Sequence, residues 1–153
     1  MIRNFSERLP GAVVDNEDER FSLVGEWTRA SAQQNKWGTS YHYKFAHTGY
    51  GEAIWNIYTP NPGLYEISIW YPEAFNRATD APFTIYHADG ESTFIIDQQQ
   101  TGGQWVVLGE FRFEDDAESR VVLATDVSDS TKLVVADAVR ARLLDKSDIW
   151  MIR

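Results

Sequence analysis

The stretch GEAIWNIYTPNPGLYEISIWYP, residues 51–72, decides the fold. In its first half Ala53, Trp55 and Ile57 alternate with Glu52, Asn56 and Tyr58; in its second, Tyr65, Ile67, Ile69 and Tyr71 alternate with Glu66, Ser68 and Trp70. A period of two is the repeat of a half-buried strand, because successive side chains point to opposite faces of a sheet. The NPG at 61–63 between the halves is turn chemistry, Pro presetting φ and Gly tolerating conformations closed to other residues. Two strands follow, at 50–59 and 63–71. The second leaves Trp70 among polar neighbours as a candidate exposed ring.

The same alternation runs outward in both directions. Strands are expected near 12–15, 20–27, 39–47, 82–88, 91–98, 104–113, 119–126 and 132–143, divided by turn-rich pieces such as ADG (88–90), TGG (101–103) and EDD (114–116). No useful window carries helical spacing. So many short strands, spaced by about ten residues, exceed one stable open sheet, which makes the fold class all-β: a two-sheet antiparallel sandwich of jelly-roll type. In 39–47, Tyr41, Tyr43 and Phe45 are expected in the core, opposite Ser40, His42 and Lys44. In 104–113, Trp105, Val107, Phe111 and Phe113 are expected inward, and the apolar Val106 and Leu108 opposite suggest a central strand covered on both sides. The irregular piece TRASAQQNKWG (28–38), rich in amides and hydroxyls around Trp37, has the make-up of a recognition loop.

Composition bounds the rest. With 153 residues the chain suits one domain, 1–145 as a sandwich and 146–153 as a tail whose Ile149, Trp150, Met151 and Ile152 dock on the domain or contact a neighbour. The absence of Cys excludes disulfide and thiolate-metal frameworks. A net charge of −9 repels phosphate backbones, so nucleic acid is not an expected partner. No apolar run long enough to span a bilayer is present, and the first residues lack the apolar core of a signal peptide.

Little here suggests catalysis. His42 and His47 are an odd number apart, so on one strand they face opposite ways, and His87 falls with Phe83 and Ile85 as a hydrogen-bonded core-edge residue. Most carboxylates sit in turns. Only Glu52 and Glu66, on outward faces of strands expected to be neighbours, suggest a glycosidase-like pair, and outward charge on a sheet ordinarily serves solubility. Asp137 is different, sharing one stripe with Leu133, Val135, Val139, Ala141 and Leu143. A buried carboxylate needs donors or a cation. Two solutions stay open: structural hydrogen bonds, or a Ca²⁺ ion shared with Asp15, Asn16 and Asp18, which offer hard oxygen ligands.

Outward aromatics carry the binding signal. Trp37, Tyr58, Trp70 and Tyr86, with Asn56 and the loop residues Gln33, Gln34 and Asn35 as polar partners, suit a glycan, whose ring C–H face stacks on an aromatic plane while its hydroxyls bond amides. The same surface suits a protein partner, which keeps a protein-interaction or assembly module as the alternative.

Taken together, VVDNEDERFSLVGEW (13–27), TSYHYKF (39–45), residues 51–72, TIYHADG (84–90), IDQQQTGGQWVVLGEFRF (96–113) and VVADAVRARL (134–143) resemble the golvesin C-terminal-like domain, also called the xanthan lyase-type binding domain. The resemblance covers about residues 12–143. It implies a β-sandwich accessory module of the kind appended to secreted bacterial polysaccharide-degrading and cell-wall enzymes, with carbohydrate binding as its expected role, an extracellular or cell-surface location, and no catalysis of its own. It transfers no catalytic residue. Its recurring residues, Asp15, Asn16, Trp27, Tyr41, Trp55, Gln98, Trp105, Gly109, Asp137 and Val139, read as structural by parity or turn position.

Overall fold

The structure is a computed structural model that describes residues 12–114 and 116–146. The expected docking segment around Trp150 lies outside the described residues. The described chain forms twelve strands: β1 (Ala12–Asp15), β2 (Phe21–Val24), β3 (Thr28–Ala30), β4 (Tyr41–Phe45), β5 (Glu52–Asn56), β6 (Gly63–Trp70), β7 (Ala81–His87), β8 (Gly90–Ile96), β9 (Val106–Phe113), β10 (Arg120–Ala124), β11 (Leu133–Ala136) and β12 (Ala138–Lys146). Its helical elements are two single 3-10 turns, at Ala46–Thr48 and Asp116–Glu118. The chain is all-β, as the alternation requires.

Three sheets result, every strand pairing antiparallel: β1-β12-β6-β9, β2-β5-β10-β7-β8 and the short β11-β4-β3. Two differences from expectation matter. First, the stretch 132–143 is two strands separated by Asp137, which lets one segment pair with β4 before the break and with β1 and β6 after it. Second, the start of the expected loop at 28–38 is strand β3, paired with β4.

The four- and five-stranded sheets close on one core. Tyr65, Ile67 and Ile69 of β6 and Val139, Ala141 and Leu143 of β12 join Ala53 and Trp55 of β5, Val121 and Leu123 of β10, and Phe83 and Ile85 of β7. Burying side chains of this size contributes about 1.5–3 kcal/mol each. Trp55 is central: its ring lies 5.3 Å from Phe21 and 6.2 Å from Phe83, and its indole N–H donates to the Asp137 carbonyl at 3.4 Å. Gln98, fully buried, acts as a surrogate strand, its side-chain amide donating to the Val135 carbonyl and accepting from the Val135 N–H, both at 2.9 Å.

Parity fails in two places. In β4, Tyr41 is buried but Tyr43 and Phe45 are only half-buried, whereas Lys44, expected outside, is 4% exposed. Its ammonium donates to the Glu26 carbonyl and the Thr48 hydroxyl, which compensates its burial. In β9, the register with β6 shifts between Ile67 and Ser68, so that Ile67 faces Gly109 while Ser68 faces Val107, leaving Leu108 as an extra residue. A bulge of one residue inverts every face beyond it. Phe113 is therefore buried as expected, but Val107 is 53% exposed, and Val106 and Leu108 pack against the core instead. Strand β9 also lies at a sheet edge and is not covered on both sides.

Candidate functional site

The bulge delivers Trp105 to the outer face of the four-stranded sheet, where it meets Trp70. The two indoles stand edge to face with centroids 5.4 Å apart, and Trp37 approaches Trp105 from the loop at 6.3 Å. The loop is pinned from beneath: the Asn35 carbonyl accepts from the Trp70 indole N–H at 2.9 Å, the Trp37 backbone N–H donates to Asp137 Oδ2 at 2.8 Å, and Gln33 Nε2 donates to the Glu73 carbonyl at 3.2 Å. Gly38 turns the chain at φ +70°, where an added Cβ would sit 3.3 Å from Asp15 Oδ2. All three indoles are half-buried. They form a ledge of rings from a loop, a strand end and the residue just ahead of an edge strand.

Cross-strand pairing fixes the polar side of this face. Trp70, Ser68 and Glu66 of β6 stand opposite Ala138, Arg140 and Arg142 of β12. Arg142 pairs with Glu66 at 3.3 Å. The Arg140 guanidinium lies over Trp105, 4.6 Å from the ring centroid.

Beneath the ledge, Asp137 is 1% exposed. Its Oδ2 accepts from Trp37, while its Oδ1 accepts no N–H or hydroxyl donor. Asp15 approaches the same place, close enough for its charge to act on Asp137. Burial pushes the Asp137 carboxyl up to about 8, the Asp15 charge adding to it and the Trp37 N–H opposing it; burial also raises Asp15. Two carboxyls in contact hold a proton between them unless a cation sits there. Of the residues expected to bind calcium, Asp15 and Asp137 come together and Asn16 flanks them. Asp18 does not join: its Oδ1 accepts from the Arg20 N–H at 2.9 Å. With both ends of its amide satisfied, Asn16 turns its Nδ2 toward Asp15 Oδ1 at 2.8 Å and its Oδ1 toward His42 Nδ1. Calcium takes six to eight oxygens, waters and backbone carbonyls among them, of which these two carboxyls supply a part. Among the described residues no group of three or more His, Asp or Glu is arranged to hold a metal ion.

The other expected binding residues are elsewhere. Asn56, Arg120 and Tyr86 form one row across the five-stranded sheet, with Arg120 stacked 3.9 Å from the Tyr86 centroid. Exposed Tyr58 lies under Arg20 at 4.9 Å, and Arg20 also donates to the Asn56 carbonyl. Sequence reading thus grouped residues that the fold divides between two sheets: Trp37 and Trp70 on one, Asn56 and Tyr86 on the other. The Glu52–Glu66 pair divides the same way, because β5 and β6 belong to different sheets. Trp105, expected in the core, stands outside it, and Arg140 has the sequence pattern of an ordinary outward charge. The glycine at 109, in mid-strand, was the signal for a bulge that would have exposed Trp105. His87 does sit at a core edge, bonded to Ser92 at 2.9 Å and stacked on Phe111.

Comparison with known proteins gives a consistent picture. The family model of the Golvesin C-terminal domain matches residues 12–142. Xanthan lyase of Bacillus sp. (strain GL1) is 32% identical over 135 residues, and golvesin of Dictyostelium discoideum 24% identical over 130 residues, matching 86% and 84% of this chain. The chain spans 14% and 22% of the length of these two relatives. Among solved structures, a Paenibacillus xanthan lyase superposes on 87% of this chain and 13% of its own, with a TM-score of 0.80 at 28% identity. A family 35 carbohydrate binding module from Clostridium thermocellum superposes over 86% of this chain and 98% of its own, with a TM-score of 0.54. At 17% identity this second likeness shows a shared β-sandwich fold and no more.

Proposed function

We propose that this chain, which belongs to the Golvesin C-terminal domain family, is a non-catalytic accessory module that binds a polysaccharide or cell-wall glycan on the outer face of its four-stranded sheet. One observation carries the reading: Trp37, Trp70 and Trp105, from three separate segments, converge on the solvent side of that sheet and not in the core. Indoles gathered there offer the apolar planes on which sugar rings stack, and the half-buried state of each leaves an edge or face for contact. The likeness of the fold to a carbohydrate binding module supports the reading. So does the parting of Glu52 and Glu66 onto different sheets, which leaves that pair no common cleft. A place outside the cell, at the surface or in a secreted protein, follows from such a ligand. No helix among the described residues is long and apolar enough to cross a membrane.

Affinity electrophoresis against a panel of plant, algal and bacterial polysaccharides tests the proposal. Trp37→Ala and Trp70→Ala are expected to weaken retention about tenfold or more, the loss of roughly 1.4 kcal/mol or greater that follows when a central aromatic contact is removed. Both proteins should keep their cooperative melts. Full retention in both variants overturns this site.

A further inference from the structure

The tryptophan face holds a cation that contacts a ring and pairs with no carboxylate among the described residues. Arg140 makes no hydrogen bond and no ion pair among the described residues; its Nε is buried without an acceptor, and its guanidinium contacts the Trp105 ring. Glu66, one row along, feels the charge of Arg140 but makes its ion pair with Arg142, through Oε1. Directly across the strand pair, Ser68 is fully buried and its hydroxyl also lacks a partner. These two atoms are closed to solvent, whereas the outer nitrogens of Arg140, Nη1 and Nη2, are open to it and bond no acceptor among the described residues. Stacking on the indole orients the guanidinium plane without occupying its hydrogen-bonding edge. What remains is a planar fork of N–H donors beside the three rings. That fork matches a carboxylate, which accepts two parallel charge-assisted bonds, better than a sugar hydroxyl, which accepts one neutral bond.

We propose that the tryptophan face selects carboxylated sugars, Arg140 gripping the carboxylate of a uronic acid residue in two hydrogen bonds while the neighbouring indoles stack on the ring. This rests on the glycan-binding reading and narrows it to acidic polysaccharides. A surface of net charge −9 repels such polymers at long range, so the contact has to be local and to survive screening.

The test uses the full chain in 150 mM NaCl, with polygalacturonate, polyglucuronate and alginate as probes, each beside its carboxyl-reduced counterpart. The expected result is retention by at least one native polymer and a loss of tenfold or more on the reduced form. Arg140→Gln should weaken retention on the native polymer by at least tenfold. Arg140→Lys, which keeps the charge but not the fork, should fall between. If Arg140→Gln fails to fold, the lysine variant and the native-against-reduced comparison on the unaltered protein still decide. Equal retention on native and reduced polymers, or Arg140 variants that bind as the parent does, overturns the selectivity and leaves the ring platform standing. Retention on neutral polysaccharides alone does the same. No retention on any polysaccharide, acidic or neutral, overturns both proposals.

Discussion

Asp137 and Asp15 pose an electrostatic problem that one proton solves. Two carboxylates in contact inside a sandwich do not both ionise at neutral pH, and burial pushes the Asp137 carboxyl up to about 8. The unfolded chain releases that proton near pH 4. Between about pH 4 and 8 the folded state therefore binds the extra proton, and stability falls as pH rises across that window, by at most about 1.4 kcal/mol per unit for one proton. Below the window the contribution is fully present; above it, it is gone. Asp137→Asn keeps an acceptor for the Trp37 N–H and gives Asp15 a permanent N–H donor. Melting temperatures measured from pH 4 to 9 should decline for the parent and decline less for the variant, which keeps only the smaller contribution of half-buried Asp15, and EDTA should shift neither. A melt lowered by EDTA would put a cation in place of the proton. Sequence parity alone exposed this residue, since a carboxylate on the Leu133-to-Leu143 stripe is visible as an anomaly. It could not expose Arg140, because an outward arginine on a strand looks like any other solubilising charge until its neighbours are known.

At the scale of elements, alternation located the strands well because most have one face in the core, and burial then writes itself into every second residue. It failed where that link is broken. β3 has three residues, two of them exposed, and leaves no periodic trace. The break at Asp137 is a single residue in an otherwise continuous apolar run. The bulge in β9 changes the phase of the pattern in mid-strand, so the inward and outward sets of 104–113 were exchanged in its first half, and with them went Trp105. The turn that feeds this strand is tight. A Cβ on Gly102 would lie 2.6 Å from both the Glu73 nitrogen and the Tyr71 carbonyl oxygen, so backbone would have to move. Gly102→Ala should cost roughly 1–3 kcal/mol in urea unfolding, as forced overpacking does. Because this turn leads into Trp105, the variant should also lose part of its glycan retention, whereas an alanine at exposed Gln104 should change neither.

For the whole molecule, Trp55 is where the layers meet. It touches Phe21 and Phe83 and reaches the backbone of Asp137, the residue that divides β11 from β12. Trp55→Ala should cost about 3–5 kcal/mol. That is a large share of the 5–15 kcal/mol typical of a domain, so calorimetry should show a melt lowered by roughly 6–20 degrees or no cooperative transition at all. Register also sets the molecule's polarity. Ala12 opens β1 beside Ala141, and β12 runs on to Lys146 beside Gly63, whereas Trp70 lies opposite Ala138 at the other extreme. The eight steps from Ala138 to Lys146 measure about 26 Å at strand rise. Ala12 and Lys146, the first and last of the described residues, therefore both lie to one side of the Ala138–Trp70 pair along the strands. The indoles keep the opposite pole of the sheet to themselves, like a hand at the end of a forearm.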